Sequence, residues 1–320
     1  MIVTVTPNPS LDRAIELSAS LEHGAVQRAQ NERVDAGGKG INVSRAVVAA
    51  GVDTIAVFPA RADDPFVALV QATLVPTRAI EVEGSVRCNV TLVDPDGTTT
   101  KINLPGDDSV ARAADLVIEE IVAASKGARW LVLAGSLPPR LATDFFAQAT
   151  LAVRAAHGDD APRIAVDTSG SPLIAAVDAH PDLIKPNGEE LAELLGEAAG
   201  EEAEEPAVAL ARARRLVPSR VGAALVTLGS RGALFVSANV SLFAAAPTIT
   251  VQSTVGAGDS SLAGYLIAEH EGATAEQCLA RAVAYGAAAA SLPGTQSPTP
   301  TDAGYSVAVT DWTAGPPAAL

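Results

Sequence analysis

Residues 163–196 read RIAVDTSGSPLIAAVDAHPDLIKPNGEELAELLG. A short apolar run, Arg163–Asp167, precedes a polar turn and a stretch of helical periodicity, and a second short strand, Asp182–Ile184, follows. Next, the proline of Lys185–Asn187 disfavours helical backbone before it, and the asparagine can cap a helix predicted over Asn187–Gly196. Successive strand–helix units of this kind are typical of a parallel α/β sheet.

The same alternation extends along the rest of the chain. Four further short apolar runs are predicted strands, namely Ile2–Thr6, Thr54–Phe58, Trp130–Ala134 and Ala223–Leu228, and Gly40–Ala50 is one of the intervening helices. Six such units predict a three-layer α/β fold, with a mostly parallel central sheet flanked by helices. A length of 320 residues also fits two consecutive domains, so the alternation and not the length favours one large domain.

Two segments, about residues 11–36 and 85–105, show strand-like patterns with no helix between them. In the second, Arg87–Val93 and Thr98–Leu104 flank Asp94-Pro95-Asp96-Gly97, which is typical of a β-hairpin turn. A sheet this small has too little core to stand alone. We therefore expect a small β-sheet lid over a cleft or a dimer contact, with an edge extension of the main sheet as the alternative.

We expect a single domain over residues 1–300, with the lid segments inserted in it. Residues 301–320, which contain several prolines and glycines, are predicted to form a loosely held C-terminal tail. The Glu-rich stretch Gly196–Glu205 is predicted to be a solvated loop.

Composition excludes several kinds of partner. With 22 Lys+Arg against 37 Asp+Glu, the net charge is −15, which disfavours binding to nucleic acid or to an anionic membrane surface.

Two cysteines are too few for a disulfide framework. The N-terminus lacks the features of a signal peptide, and no run of about 18 apolar residues occurs. We therefore expect a cytoplasmic protein.

The segment most informative about chemistry is Ser253–Gly264, which reads STVGAGDSSLAG. Its glycines allow close backbone approach to a ligand, and the residues from Asp259 onward are predicted to be helical, so free amides would face an anion. A carboxylate among those amides is placed to take a proton from a hydroxyl that attacks a phosphoryl group. Taken alone, the segment is equally consistent with a capped helix and a tight turn.

A second glycine cluster, Asp35–Arg45, reads DAGGKGINVSR and opens another helix. It fits neither the phosphate-binding P-loop nor the dinucleotide fingerprint, because the glycine spacing differs and no parallel strand precedes it. Amide and backbone groups here suit polyol hydroxyls, and Lys39 suits a phosphate. As an isolated feature, the cluster is also consistent with a glycine-rich helix start.

These two clusters resemble the two signatures of the ribokinase-like (PfkB) family of sugar kinases. Further matches are NPSLD at 8–12, LAGSLPP at 133–139, VDTSG at 166–170, KPNGEE at 185–190 and VTLGSRG at 226–232. They cover about residues 1–300 in the expected order. The resemblance implies a ribokinase-like fold with a lid, and ATP-dependent phosphorylation of a sugar hydroxyl.

Within the family, NPSLD, Lys39 and DGTTTKIN at 96–103 are most similar to kinases of phosphorylated ketohexoses. The resemblance implies that the chain phosphorylates the 6-hydroxyl of D-fructose 1-phosphate, giving D-fructose 1,6-bisphosphate and ADP. Tagatose 6-phosphate and fructose 6-phosphate are the alternative substrates.

The resemblance also implies a role for individual residues. Asp259 would be the catalytic base, with an anion hole formed by Gly256, Ala257 and Gly258. The positions that match sugar-hydroxyl ligands are Asp12, Gly37, Gly38 and Asn42, and those near the substrate's own phosphate are Lys39, Arg87 and Ser136. The positions that match the nucleotide site are Lys185, Asn187, Thr227, Gly229, Gly232, Thr254 and Gly286. Glu190 with Asn187 would organise Mg²⁺ through water. Asp167 is expected to be mainly structural.

The chain departs from the family pattern at two positions. Leu104 stands where relatives usually have glutamate, which leaves open how the lid closes over the sugar. Arg140 stands where glycine commonly follows Leu-Pro-Pro, which adds a cation beside Ser136.

Two other functions remain as alternatives. A non-catalytic sugar-phosphate sensor would be expected to lack a catalytic position, yet Asp259 and the glycines before it are present. A dinucleotide-dependent oxidoreductase would carry a glycine fingerprint after the first strand, where Thr6–Pro9 stands instead. The resemblance leaves the oligomeric state open, because relatives of this family can dimerise through the lid sheet. In a homodimer of that kind, Arg28 would reach a neighbour's site.

Overall fold

The architecture is taken from a computed structural model that describes residues 1–198 and 200–316. The strands are β1 Ile2–Val5, β2 Ser10–Leu17, β3 Ala29–Gly37, β4 Thr54–Pro59, β5 Thr77–Ile80, β6 Arg87–Val93, β7 Thr99–Asn103, β8 Trp130–Ala134, β9 Arg163–Asp167, β10 Leu183–Ile184, β11 Ala223–Thr227, β12 Ala233–Ser237, β13 Ser241–Ala244 and β14 Val309–Asp311. The α-helices are α1 Lys39–Ala49, α2 Pro65–Ala72, α3 Ser109–Arg112, α4 Ala114–Ser125, α5 Phe145–His157, α6 Ser171–Ala176, α7 Gly188–Leu194, α8 Pro206–Ala213, α9 Ala257–His270 and α10 Ala275–Ala290.

A ten-stranded sheet forms the centre of the fold, in the order β14-β13-β12-β11-β10-β9-β8-β1-β4-β5. The strands from β11 to β5 are parallel to one another, and β12, β13 and β14 are added antiparallel at one edge. The predicted α/β fold with a mostly parallel sheet is therefore confirmed. All six predicted strands are present, each within two residues of its predicted bounds.

Both faces of the sheet are buried under helices. In β8, Leu131 and Leu133 pack into one hydrophobic cluster, and Val132 and Ala134 pack into the cluster on the opposite face. This alternation follows from the two-residue period of a strand, and it explains why the strand reads as a continuous apolar run. The first cluster includes residues of α4 to α8, and the second includes residues of α1, α9 and α10.

A separate four-stranded sheet has the order β3-β2-β6-β7. β2 pairs antiparallel with β3 and parallel with β6, and β6 and β7 form the predicted hairpin, in which Val93 lies opposite Thr99. Because this sheet is distinct from the ten-stranded one, the edge-extension alternative is wrong. The base of β2 brings Asp12 level with Asn89 of β6, at the junction with the large sheet.

The segment predicted as a loose tail differs in the structure from that expectation. Val309–Asp311 forms edge strand β14, and the Trp312 ring stacks on Phe243 at 4.6 Å between centroids. Arg214 donates hydrogen bonds to the backbone carbonyls of Trp312 and Thr313. A few apolar residues among prolines and glycines therefore suffice to attach this segment. Residues 317–320 of the predicted tail lie outside the described residues.

In the Glu-rich stretch, Glu201–Glu204 forms a short 3₁₀ helix, and residue 199 lies outside the described part of the chain. Within residues 1–198 and 200–316, no helix combines the length and the apolar character that crossing a membrane requires.

Candidate active site

The predicted site residues meet at the carboxyl ends of the parallel strands. Asp167 ends β9, Thr227 ends β11, and Ser136 lies two residues beyond the end of β8. The helices α1 and α9 begin at the same edge, with Lys39 and Asp259 in their first turns. In open parallel sheets this edge is where ligands bind, because the loops after the strands diverge there.

The start of α9 has no side-chain cap over its first amides. Gly256, the N-cap, has a φ of 76°, and no side chain caps the helix. By contrast, α7 and α10 both begin with a complete capping box. The first amides of a helix have no partner within it. The Ala257 amide makes only a long hydrogen bond of 3.4 Å to the Thr254 carbonyl oxygen, so it and the amides of Gly258 and Asp259 are suited to binding an anion. The interpretation of this segment as a helix start is confirmed.

Asp259 is buried in the first turn of α9, only 7% exposed. Its Oδ2 accepts a hydrogen bond of 2.8 Å from Asn42 Nδ2, which links the two glycine-rich clusters. Burial and then the nearby charge of Asp167 raise the pKa of Asp259 to about 6, against the opposing effects of Lys39, Asn42 and Lys185. The carboxyl group is thus a stronger base than an ordinary aspartate, as proton transfer near neutral pH requires.

Asp167 lies beside it, fully buried between two lysines. Its Oδ1 accepts a hydrogen bond from Lys39 Nζ at 2.7 Å and forms an ion pair with Lys185 Nζ at 3.2 Å. Burial opposes ionisation of Asp167, but the charges of Lys185 and Lys39 outweigh it and hold its pKa below the ordinary value. Burial likewise opposes the charge of Lys39, while Asp167 and Asp259 raise its pKa, so the ammonium group stays charged.

Lys185 approaches the start of α9 closely. A Cβ atom added at Gly258 would lie 3.1 Å from Lys185 Nζ. Glycine at this position therefore lets the ammonium group reach the free amides. Together they form a compact positive region around Asp259.

The group of residues around Asp12 contains acceptors suited to sugar hydroxyls. Asp12 Oδ1 accepts hydrogen bonds from Ser10 Oγ at 2.7 Å and from Asn89 Nδ2 at 3.0 Å. Burial raises the pKa of Asp12, and these hydrogen bonds oppose the increase. A Cβ at Gly37 would lie 2.1 Å from Asp12 Oδ2, and one at Gly38 would lie 2.6 Å from Thr6 Cγ2, so both glycines are needed for close packing here.

Arg87 and Ser136, both predicted near the substrate's phosphate, are in contact. Arg87 Nη2 donates to Ser136 Oγ at 3.4 Å, and Nη1 donates to the carbonyl of Leu104 at 3.0 Å. Burial lowers the pKa of Arg87, and Asp12 opposes this change. Lys39, predicted in the same group, is instead hydrogen-bonded to Asp167, which puts its charge in the cluster with Lys185 and near Asp259.

Several buried polar atoms in this cleft have no hydrogen-bond partner within the described residues. They are Thr6 Oγ1, Asn42 Oδ1, Asn89 Oδ1, Arg87 Nε and Asp167 Oδ2. Buried polar atoms are normally satisfied, and unpaired ones cost free energy. Their concentration in one cleft is what a site that binds a polar ligand requires.

The residues predicted for the nucleotide lie along the next strands. Asn187 pairs with Thr227 in a short parallel bridge, and the Thr227 amide donates to the Pro186 carbonyl at 3.0 Å. Gly229 has a φ of 54° and packs beside Glu204, and Thr254 is exposed just before the glycine-rich start of α9. These residues therefore form one wall between β11 and α9.

Two predicted nucleotide-site glycines have a packing role in the structure. A Cβ at Gly232 would lie 1.9 Å from the carbonyl oxygen of Ala244, and one at Gly286 would lie 2.3 Å from Ser261 Oγ. Gly232 thus permits the tight turn from β11 to β12, and Gly286 permits close packing of α10 on α9.

The structure also tests how a metal ion would be held. Within the described ranges, no group of three or more His, Cys, Asp or Glu side chains is arranged to hold a metal ion. Asn187 and Glu190 form the capping box of α7, in which each side chain accepts a hydrogen bond from the other's backbone amide. This arrangement leaves Glu190 Oε1 as an acceptor, which fits a hydrated Mg²⁺ that arrives with a nucleotide.

Neither departure from the family pattern disrupts the site. Leu104 contacts Arg87 through its backbone carbonyl, which is independent of its side chain. Arg140 has a φ of 64°, a conformation that favours glycine, and its guanidinium lies on the surface 3.9 Å from Asp108.

Sequence reasoning missed Thr6, Asn8 and Asn89 and assigned Asp167 a mainly structural role. Asn8 donates hydrogen bonds to Ser136 Oγ and to the Pro105 carbonyl. Asn8 lies within the NPSLD motif and Asp167 directly follows a buried strand, so both positions carried a signal. Nothing in the sequence alone indicated that Asn89 would align with Asp12.

We expect Asp259→Asn to raise the free energy of unfolding at pH 8, by roughly 1–3 kcal/mol. The folded-state pKa, about 6, lies above the ordinary 3.8, so the ionised carboxylate destabilises the folded chain. This penalty is complete above about pH 6 and shrinks as the pH falls toward 3.8. Chemical unfolding at pH 8 and pH 5 measures it, with exposed Asp159→Asn as the control. Equal effects of the two substitutions would contradict the burial of this charge.

Comparison with known proteins agrees with this geometry. Residues 6–302 match the pfkB family carbohydrate kinases. The chain is 35% identical over 291 residues to 1-phosphofructokinase of Xanthomonas campestris, covering 88% of this chain and 89% of that protein. It is 33% identical to 1-phosphofructokinase of Haloferax volcanii, with 93% of each chain covered.

Among solved structures, phosphofructokinase-2 from Escherichia coli in complex with fructose-6-phosphate has a TM-score of 0.83 and 28% identity, covering 94% of this chain and 96% of that one. The family match spans nearly the whole chain, and two relatives exceed 30% identity over most of it. The chain therefore belongs to the pfkB family of carbohydrate kinases.

Proposed function

We propose that this kinase transfers the γ-phosphoryl group of ATP to the 6-hydroxyl of D-fructose 1-phosphate, giving D-fructose 1,6-bisphosphate and ADP. The observation that carries the proposal is the buried Asp259 carboxylate beside the uncapped start of α9. Relatives named 1-phosphofructokinase, at 35% and 33% identity, support the choice of substrate.

Asp259 accepts the proton of the 6-hydroxyl as that oxygen attacks the γ-phosphorus and the bond to the β-phosphate oxygen breaks. Asn42 orients the carboxylate through its 2.8 Å hydrogen bond. The amides of Ala257 and Gly258 and the Lys185 ammonium, which lies next to Gly258, stabilise the negative charge on the transferred group. Lys39, which contacts the same Asp167 oxygen as Lys185, adds a second positive charge.

Nucleotide binding falls to the wall formed by Asn187, Thr227, Gly229 and Thr254. Glu190 and Asn187 would hold a hydrated Mg²⁺ ion through water. When bound, this ion neutralises part of the phosphate charge. Gly232 and Gly286 contribute indirectly, by shaping the turn and the helix contact behind this wall.

The sugar phosphate binds on the lid side of the cleft. Asp12, Asn42, Asn89 and the backbone at Gly37 and Gly38 bind the hydroxyls, using the unpaired acceptors of the two asparagines. Arg87 and Ser136 bind the 1-phosphate. A half-buried arginine supplies the local cation that a dianion needs in a chain of net charge −15.

Fructose 6-phosphate is a second candidate substrate, because a relative of the same fold was solved in complex with it. Tagatose 6-phosphate is the remaining alternative. Initial rates on the three sugar phosphates, at equal ATP and Mg²⁺, distinguish them. We expect kcat/KM to be highest for fructose 1-phosphate, and a preference for either 6-phosphate would overturn the substrate assignment.

We also propose that the four-stranded sheet is a lid that excludes water from the transferred group and forms the interface of a homodimer. Four large apolar side chains, Leu21, Val26, Ile102 and Leu104, are exposed on its segments, at 42%, 102%, 52% and 48%. Arg28 is also exposed there, where it would reach the neighbouring site.

Small-angle scattering tests this assembly. The wild-type chain is expected to have the mass of a dimer, and Ile102→Asp the mass of a monomer, because a charge in an apolar interface is not compensated. Leu151→Asp, which changes an exposed leucine on α5, is the control. A monomeric wild-type chain would remove the dimer proposal.

A further inference from the structure

Hydrogen bonds join four separate segments around Ser136 and its neighbour Asn8. Ser136 follows β8, Asn8 follows β1, Arg87 begins lid strand β6, and Pro105 follows lid strand β7. Asn8 Nδ2 donates to Ser136 Oγ at 3.2 Å and to the Pro105 carbonyl oxygen at 3.1 Å. Arg87 Nη2 donates to the same Ser136 oxygen at 3.4 Å. The ring of contacts therefore joins the large sheet to both strands of the lid hairpin.

The Pro105 carbonyl fixes the orientation of the Asn8 amide. A carbonyl oxygen only accepts hydrogen bonds, so the NH₂ group of Asn8, and not its oxygen, must face Pro105. The second hydrogen of the same NH₂ group then points to Ser136. Asn8 is 6% exposed, so this amide is held away from water.

The orientation of Asn8 fixes the polarity of Ser136. A hydroxyl has one hydrogen to donate and two lone pairs that accept. The amide nitrogen of Asn8 and the guanidinium of Arg87 are donors only, so together they occupy both lone pairs of Ser136. The hydroxyl hydrogen cannot point at either of them. Since Ser136 is exposed in the cleft, its hydrogen is directed toward the ligand.

We propose that Asn8 is a positioning residue that makes Ser136 an obligate hydrogen-bond donor to the substrate's own phosphate. This role rests on the proposed function, in which Ser136 and Arg87 bind that phosphate. The oxygens of a fully ionised phosphate accept hydrogen bonds and cannot donate them, so a serine that must donate is complementary to them. The same serine discriminates against a ligand group that must itself donate a hydrogen bond. Asn8 acts without touching the substrate.

The surroundings of Asn8 maintain this arrangement. Gly106 has a φ of 98°, and a Cβ added there would lie 2.5 Å from Asn8 Oδ1. The chain leaving β7 therefore packs directly on the amide, and Asn8 connects the position of the lid hairpin with the polarity of Ser136.

Steady-state kinetics of Asn8→Ala and Asn8→Asp test the proposal, with Asn239→Asp, an exposed loop position, as the charge-matched control. We expect Asn8→Ala to raise the KM for the sugar phosphate about tenfold and Asn8→Asp about a hundredfold, since the new carboxylate accepts the Ser136 hydrogen and turns its lone pairs to the phosphate. The KM for ATP should change less than about twofold in both, and the control should match the wild type.

A double-mutant cycle with Ser136→Ala separates this role from a purely structural one. If Asn8 acts through Ser136, Asn8→Ala in the Ser136→Ala background raises the sugar-phosphate KM by less than about twofold. If the full tenfold effect persists, or if the KM values for ATP and sugar phosphate rise together, the proposal is wrong.

Calorimetric titration with inorganic phosphate tests the proposal without turnover. The proteins titrated are the wild type, Asn8→Ala, Asn8→Asp and the control Asn239→Asp. Weaker phosphate binding in the Asn8 variants supports the proposal even if the sugar is misassigned, and unchanged phosphate binding overturns it. Failure of the wild-type chain to phosphorylate fructose 1-phosphate would overturn only the substrate assignment.

Discussion

The fully buried carboxylate of Asp167, held between the ammonium groups of Lys39 and Lys185, is the constraint on which the site depends. Two lysines beside a buried carboxylate would by themselves hold the pKa of Asp259 low and weaken it as a base. Asp167 balances their charge, and burial together with the charge of Asp167 raises the pKa of Asp259 to about 6 instead. Removing one member of such a cluster leaves a buried charge uncompensated, which costs several kcal/mol. Asp167, at the end of β9, thus adds to the basicity that burial gives Asp259 and fixes the position of the two lysine ammonium groups.

The same arrangement explains how a chain with a net charge of −15 can bind two phosphorylated ligands. The net charge disfavours an extended polyanion, whose binding depends on many phosphate contacts. A single phosphate needs only a few groups at short range. In the proposed function, Lys39, Lys185 and the amides of α9 supply these groups at one end of the cleft, and Arg87 with Ser136 supplies them at the other.

Much of the fold could be predicted from the sequence because buried parallel strands leave short apolar runs followed by helical periodicity. The antiparallel edge strands β12 to β14 could not be predicted in this way, because they lack the strand–helix alternation that marks the parallel strands. The starts of α1 and α9 were predictable from their glycines. The contact between Lys39 and Asp167 could not be predicted from the sequence, because it depends on where the fold places the end of β9 relative to the start of α1. Gly232 and Gly286 were predicted to line the nucleotide site, but in the structure they permit close packing. One sequence does not show which glycines are required because a Cβ atom would clash with a neighbouring element.

The central claim is that Asp259 is the base for phosphoryl transfer, and single-turnover transfer by Asp259→Asn tests it most directly. Loss of a general base is expected to slow transfer by about 10²–10⁴-fold. ATP binding, measured by calorimetry in the presence of Mg²⁺, should stay within about threefold of the wild type, because the wall formed by Asn187 and Thr227 is unchanged. Transfer at the wild-type rate, or loss of ATP binding together with turnover, would contradict the account.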